Sequence, residues 1–219
     1  MATTGKRPLL NFRHTLLVLL LYAAMLAAWP YFESKQDVIA TFAEDGPFES
    51  LSISLWLLLC SACLWNWKLA PRVLLPGAWT ALIGAAREDD LQNAVTGVNL
   101  FRLKWYVEAD APLPQKLLAA AILLIVIGTL LYMLAIGVRA FLKPAPWRQD
   151  WGLTVLLAMA LGGASLFLDK LQSFVHDFTG SWLHEQASLI VKALEEGLEM
   201  ALPLIFVSAL MQYRAARPR

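Results

Sequence analysis

The chain has 219 residues, of which 58% are hydrophobic and 16% are charged, and its formal net charge is +1. A near-neutral charge gives no electrostatic footprint for nucleic acid, so no nucleic-acid partner is expected. The hydrophobic content exceeds that of an ordinary water-soluble domain. Several uncharged apolar runs approach the roughly 20 residues that a membrane-spanning helix needs. The sequence therefore predicts one all-α membrane domain over residues 1–219, a polytopic helical bundle.

Six transmembrane helices are predicted from these runs and from the short proline-containing links between some of them. In chain order they cover residues 16–32, 48–67, 72–90, 116–141, 151–170 and 188–213. The first run resembles a signal peptide, but further spans follow it, so an uncleaved first helix is expected. In the second span, Cys60 and Cys63 form a CxxC near mid-bilayer, where packing residues rather than reactive thiols are expected.

The orientation follows from the basic residues of the short loops. With six spans both termini share one side, which holds eleven basic residues and one acid. The other side holds seven basic residues and sixteen acids. Because cytoplasmic loops carry the excess of Lys and Arg, both termini are expected to be cytoplasmic.

The third and sixth spans are short for a bilayer. Each has only 14 uncharged residues, between Arg72 and Arg87 and between Glu199 and Arg214. Such a run covers roughly 21 Å of a hydrocarbon core near 30 Å. Lengthening either helix to span the core brings its charged residues into the outer half of the membrane.

Polar residues recur at helical spacing on four of the six spans. On the sixth, Lys192, Glu195, Glu196 and Glu199 fall at i, i+3, i+4 and i+7, which is one helix face. Because intramembrane charges normally face a bundle interior, the second, third, fifth and sixth spans are expected to enclose an outward-opening polar centre. The inner halves of these spans, such as "PLIFVSAL", are predicted to be apolar. The predicted polar site comprises Glu44, Asp45, Glu49, Arg87, Glu88, Asp90, Asp169, His176, Lys192, Glu195, Glu196 and Glu199.

Two long outer loops are predicted to meet the membrane surface. In the first, aromatic residues stand beside basic ones, which suits the headgroup level: Arg102, Lys104, Trp105 and Tyr106. In the second, Leu171, Phe174, Val175, Phe178 and Trp182 recur at helical spacing and Gly180 breaks the pattern. This amphipathic stretch is expected to lie along the interface or to cap the bundle.

Three segments carry a resemblance to a family. They are "EDGPFESLSISLWLLL", "AREDDLQNAVTGVNLFRLKWYVEADAPLPQK" and "LEEGLEMALPL". They resemble uncharacterised bacterial multi-span inner-membrane proteins with EDG-x-x-E, A-R-E-x-D and L-E-E-x-L-E motifs. The matching positions are Glu44, Asp45, Gly46, Glu49, Arg87, Glu88, Asp90, Thr96, Lys104, Pro114, Lys116, Glu195, Glu196 and Glu199.

The match departs from the family at three positions. Tyr106 stands two residues after Lys104 rather than three, and Gln92 and Val95 replace a His and a Phe. The resemblance implies a bacterial inner (cytoplasmic) membrane location, with the polar site facing the periplasm or exterior. It implies no activity.

The chemistry of the predicted site leaves several functions open. Oxygen-rich clusters suit Mg²⁺, Ca²⁺ or Mn²⁺, and a histidine would admit Zn²⁺ or Fe, so a divalent cation is a candidate cofactor. The candidate metal ligands are Glu49, Glu88, Asp169, His176, Glu196 and Glu199. Carboxylates outnumber the nearby cations, Arg87 and Lys192, which favours a site that takes up protons or a cation over an inert salt-bridge network.

Three classes of function remain at this stage. The first is a structural or accessory membrane protein, with a lipid headgroup or a partner membrane protein as its ligand. The second is a metal-dependent hydrolase acting on lipid or peptide at the outer leaflet. "LEEGLE" is similar to the EE-x-x-x-R of membrane glutamic proteases, although Met200 stands where that motif has Arg. The third is a proton- or cation-linked transporter. Whether the protein is an enzyme is left open.

Overall fold

The computed structural model describes residues 11–43, 46–91, 105–106, 111–142 and 146–217. These residues form seven α-helices and no strand, which confirms the predicted all-α class. The helices are α1 Phe12–Ala28, α2 Lys35–Thr41, α3 Pro47–Trp65, α4 Pro71–Glu88, α5 Leu113–Leu142, α6 Asp150–Thr179 and α7 Glu185–Ala215. The predicted site residues Glu44, Asp45, Arg102 and Lys104 lie outside the described residues, as do the motif positions Gln92, Val95 and Thr96.

Within the described residues, four helical segments are long and apolar enough to cross a membrane. They are Phe12–Tyr31, Pro47–Trp65, Leu113–Ala140 and Asp150–Thr179, at the first, second, fourth and fifth predicted spans. Their large apolar side chains are widely exposed, as with Leu124 at 69%, which suits a surface covered by lipid rather than water. The third and sixth predicted spans are the helices α4 and α7. Their passage through the membrane stays a prediction, as does the cytoplasmic placement of both termini.

Local sequence signals set several helix ends. Asn11 caps α1 by accepting a hydrogen bond from the His14 amide at 3.0 Å, and Ser34 caps α2 through the Asp37 amide at 3.2 Å. The short α2 lies in a loop where no helix was predicted. At the other end of the chain, Gly180 ends α6 with a φ of 70°, a conformation that glycine adopts without steric cost.

The helix α6 is longer than predicted. It runs unbroken for nine residues beyond Lys170, the predicted end of the fifth span, and its 30 residues measure about 45 Å. A hydrocarbon core of about 30 Å cannot enclose that length without strong tilt. The amphipathic stretch that begins at Leu171 therefore forms the last part of α6. The chain then turns at Gly180 and α7 begins at Glu185.

The described helices fall into two compact units, and the division lies inside α3. The first unit contains α1, α2, α6, α7 and the start of α3. Its core is an apolar cluster of small and branched side chains from α1, α6 and α7: Leu19, Ala158, Leu161, Leu198, Ala201 and Ile205. The second unit contains the rest of α3 with α4 and α5. Cys60 is partly buried and Cys63 is buried there, as expected of packing residues.

A close approach joins α1 to α7 in the first unit. A Cβ atom at Gly197 would overlap Cδ1 of Leu26, so any larger residue there would force the Leu26 side chain to move. Leu26 is fully buried there with Val38 and Phe42 of the α2 segment. The Tyr22 hydroxyl also donates a hydrogen bond to the Gly197 carbonyl at 3.1 Å. Because backbones must approach closely to pack well in lipid, small residues are favoured at such contacts.

A proline organises the contact between α4 and α5 in the second unit. Pro76 lies inside α4 and has no N–H, so the Arg72 carbonyl four residues earlier loses its helical donor. The Tyr132 hydroxyl of α5 donates to that carbonyl at 3.4 Å. This pairing satisfies a backbone group that lipid could not.

Candidate functional site

Polar residues of α6 and α7, among them the predicted Asp169, Glu195 and Glu199, meet in the first unit along the contact between the two helices. The Ser165 hydroxyl donates to a Glu199 carboxylate oxygen at 2.8 Å, and the Gln172 amide donates to the Ser188 hydroxyl at 2.9 Å. Between these levels, Asp169 and Glu195 interact electrostatically. The α6 residues rise along the chain as their α7 partners fall, as expected of antiparallel helices. We call these six residues the polar seam: Ser165, Asp169, Gln172, Ser188, Glu195 and Glu199.

Acidic groups dominate the middle of the polar seam. Lys170 pairs with Asp169 at 2.7 Å, and Lys192 pairs with Glu196 one turn away on its own helix. Glu195 interacts electrostatically with Lys192, Glu196, Asp169 and Glu199, and Lys170 interacts with Glu195. These contacts bring together four carboxylates and two ammonium groups: Asp169, Glu195, Glu196, Glu199, Lys170 and Lys192. If all six are ionised, these six groups together carry two more negative than positive charges.

A second polar cluster lies at the other end of the same helices. The Gln212 amide, which is 4% exposed, bonds the Thr154 hydroxyl at 2.7 Å, the Thr15 hydroxyl at 3.2 Å and the Ser208 hydroxyl at 3.3 Å. The Thr15 and Ser208 hydroxyls are 2.9 Å apart. These bonds link α1, α6 and α7, and we call the four residues the glutamine network.

The glutamine network corrects the prediction that the inner halves of the polar spans are apolar. Sequence reasoning missed it because each of its residues stands alone in an apolar run. One signal was present: Ser208 and Gln212 are four residues apart and share a helix face. A lone hydroxyl in such a run bonds its own helix equally well, as Thr154 also does to the Asp150 carbonyl at 2.9 Å.

At the opposite end of α7, polar contacts tie the helix to the α1–α2 corner. Glu185 pairs with Lys35, and the Gln186 amide donates to the Pro30 carbonyl at 2.9 Å. The hydrogen bond from Lys35, and secondly its positive charge, hold the pKa of Glu185 below its usual value of 4.5. Both side chains of the pair are more than half exposed, so solvent screens it strongly.

The other predicted site residues have different surroundings. Glu49 lies in the first turn of α3, where a carboxylate suits the helix dipole. Arg87 and Glu88 lie at the C-terminal end of α4, in the second unit, and Asp90 follows with a φ of 42°, which Asp tolerates better than most residues. The sharing of one polar centre by four spans stays a prediction. The polar seam contains residues of two spans.

The predicted metal ligands gain no support. Among the residues whose positions the structure gives, no three His, Cys, Asp or Glu side chains lie together in a group that could hold a metal ion. His176 stacks its ring on Trp182 at 4.2 Å and lies 3.9 Å from the Asp177 carboxylate. His176 therefore lies in the last turn of α6 and contacts the turn between α6 and α7 through Trp182.

Two of the four predicted headgroup residues are described. The rings of Trp105 and Tyr106 pack edge to face with centroids 5.0 Å apart, and both side chains are partly buried. Their role at a lipid headgroup stays a prediction.

Compared with protein-family models, with curated proteins and with solved structures, the chain matches none. The resemblance of the three sequence segments to bacterial inner-membrane proteins therefore stays a prediction, and the function must be argued from the geometry.

Proposed function

We propose that this protein is a structural or accessory component of the bacterial inner membrane. Its polar seam faces outward, holds α6 against α7 and receives a cation or a basic group of a partner membrane protein. The main support is the Ser165–Glu199 hydrogen bond together with the surplus of carboxylates around Glu195. A purely internal salt-bridge network would balance its charges, because an uncompensated charge in the membrane is costly.

An apolar layer favours this role over transport. Between Thr154 of the glutamine network and Ser165 of the polar seam, α6 runs for eleven residues, about 16 Å. Leu157, Ala158 and Leu161 fill this stretch and pack in the apolar core. An ion moving along α6 and α7 would lose its polar partners there, at a cost of several kcal/mol. The polar seam and the glutamine network each hold α6 against α7, at different depths.

The proposal is tested first by removing one surplus charge. We expect Glu195→Gln to leave the folded yield unchanged, because the Glu195 carboxylate accepts no hydrogen bond from the residues that the structure describes. We expect it to weaken retention of the partner during purification. Quantitative mass spectrometry of protein purified from native membranes measures the retention. Glu185→Gln, on the same helix but outside the polar seam, is the matched control and should retain the partner.

Metal content separates the two kinds of ligand. Elemental analysis of the purified protein, with thermal melts before and after EDTA, distinguishes a bound divalent cation from a basic partner group. A stoichiometric metal with a melt lowered by chelation identifies the cation. Equal retention of every co-purifying protein by wild type and Glu195→Gln, together with no bound cation, would contradict the proposed role of the seam.

A further inference from the structure

A groove runs along the contact between α4 and α5 in the second unit. It has a volume of about 500 Å³, and its walls include Leu75, Pro76 and Trp79 of α4 with Leu124, Gly128 and Tyr132 of α5. Gly128 contributes no side chain, and a Cβ atom there would meet nothing within 4 Å. The groove therefore lies where α5 is thinnest, beside the proline of α4.

The walls of this α4–α5 groove suit an apolar occupant. The Thr129 hydroxyl on the wall donates to the Ile125 carbonyl at 2.8 Å, and the Tyr132 hydroxyl donates to the Arg72 carbonyl. Both hydroxyl groups are thus already hydrogen-bonded. The remaining wall is aliphatic and aromatic, and α5 lies in a segment apolar enough to cross a membrane. The molecules that meet such a surface in a bilayer are lipid acyl chains.

Basic residues stand at one end of the α4–α5 groove. Arg72 lies there because its carbonyl is bound by Tyr132. Arg139 follows Tyr132 by seven residues, which places it on the same face of α5 and about 10 Å further along the axis. Lys68 lies in the turn that precedes α4. All three side chains are exposed, and no acidic residue lies between Lys68 and Arg72 or between Tyr132 and Arg139.

We propose that the α4–α5 groove binds one anionic phospholipid. An acyl chain lies against Gly128 and Trp79, and the phosphate lies near Arg72 and Arg139. Charge complementarity selects an anionic headgroup, because a basic residue near a bilayer surface attracts anionic lipid while a zwitterionic headgroup offers no net charge. The apolar wall and the basic end together match the two parts of a phospholipid. This site is independent of the polar seam.

The first test compares two lipids on the full-length protein. Delipidated protein in detergent is titrated with phosphatidylglycerol and with phosphatidylcholine, and native mass spectrometry gives the fraction bound. We expect tighter binding of phosphatidylglycerol. The double variant Arg72→Gln/Arg139→Gln should weaken that binding about 25-fold, since each basic residue contributes about fivefold. The matched control Arg13→Gln/Arg148→Gln removes two basic residues of the first unit and should bind as the wild type does.

The second test fills the groove. Gly128→Leu places a side chain in the space an acyl chain would take, and Gly137→Leu adds the same side chain to α5 outside the groove walls. Neither new Cβ atom meets anything within 4 Å, so both variants should fold. We expect Gly128→Leu to lose lipid binding and Gly137→Leu to keep it. Equal affinity for the two lipids, an equal effect of both leucines, or a dimer that Gly128→Leu dissociates would overturn the proposal.

Discussion

The helix pairs α6–α7 and α4–α5 are held together by different kinds of contact. Between α6 and α7, side chains form cross-helix hydrogen bonds at several depths, from Thr154–Gln212 to Gln172–Ser188. Between α4 and α5, the Tyr132 hydroxyl donates to the backbone carbonyl of Arg72, and a groove lies beside this bond. Lipid gives little hydrophobic drive to bring helices together, so polar bonds and close packing must do so.

The difference indicates where each pair is free to accept a ligand. Several hydrogen bonds join α6 to α7, and carboxylates outnumber ammonium groups there, so the ligand proposed for this contact is a cation or a basic group. A groove with apolar walls lies between α4 and α5, so the ligand proposed for it is a lipid chain. Four substitutions test how the helices of the two units are held together, in order of decreasing expected effect.

Gly197→Leu should have the largest effect of the four because it overfills the tight contact between α7 and Leu26 of α1. Three atoms of the buried Leu26 lie within 3.1 Å of the position of the new Cβ atom. Overpacking of this kind typically costs about 1–3 kcal/mol, and we expect the upper end. Thermal unfolding in detergent measures the loss. Gly163→Leu on α6 is the control, since its Cβ atom would meet nothing within 4 Å. Equal destabilisation by both would contradict the tight contact.

Gln212→Leu should follow, because it removes the centre of the glutamine network at nearly constant volume. Two of its hydrogen bonds cross to other helices, to Thr154 and Thr15. Such bonds contribute about 0.6 kcal/mol each on average and up to about 1.7, so a loss of about 1–2 kcal/mol is expected. A double-mutant cycle with Thr154→Val measures the coupling. Strictly additive effects of the two substitutions would rule out the network.

Tyr132→Phe should cost less, about 0.6 kcal/mol, because it removes one long hydrogen bond between α4 and α5. The bond matters only while Pro76 leaves the Arg72 carbonyl without its helical donor. In the Pro76→Ala background the helix supplies an N–H again, and Tyr132→Phe should then be neutral. Thermal unfolding of Tyr132→Phe is measured in the wild-type and in the Pro76→Ala backgrounds, and the second measurement is the control for the first. The same cost in both would mean that the proline and the tyrosine are unrelated.

The Lys35–Glu185 pair should have the smallest effect, because both side chains are exposed. Since the pKa of Glu185 is lowered in the folded state, its stabilisation is present above about pH 4.5 and disappears as the pH falls through the lowered pKa. Thermal melts at pH 7 and pH 3 measure the change. In Glu185→Gln this part of the pH dependence should be absent, and an unchanged difference between the two melts would contradict the assignment.

Much of the helical framework could be predicted from the sequence, because it follows from local composition. Uncharged runs of sufficient length form helices in any apolar solvent, since each backbone group must find a partner within its own segment. On α6, the spacing of Ser165, Asp169 and Gln172 puts them on one face, and Ser165 and Gln172 form hydrogen bonds to α7. Their partners on α7, Glu195 and Glu199, were identified by the same spacing rule.

Other features depended on contacts between distant parts of the chain. Thr15, Thr154 and Gln212 are far apart in sequence, and only the packing of three helices brings them together. The short α2 was missed because short amphipathic segments carry a weaker signal than spans do. The helical spacing after Leu171 was predicted, but the end of the fifth span was placed at Lys170, nine residues before α6 ends. His176 was predicted in the polar site by its spacing, and its stacking on Trp182 arises from the turn at Gly180.

The sequence by itself therefore determined the class of the protein, the positions of its long helices and the polar faces of α6 and α7. These are properties of periodicity and hydropathy within a single segment, and the bilayer makes them decisive. Only the tertiary structure decided which polar residues pair, where Gly197 lets α1 approach α7, and how Tyr132 completes the helix that Pro76 interrupts. Each of these features depends on the relative position of two helices. Hydropathy carries no information about that position, because all lipid-facing helix surfaces have similar hydropathy.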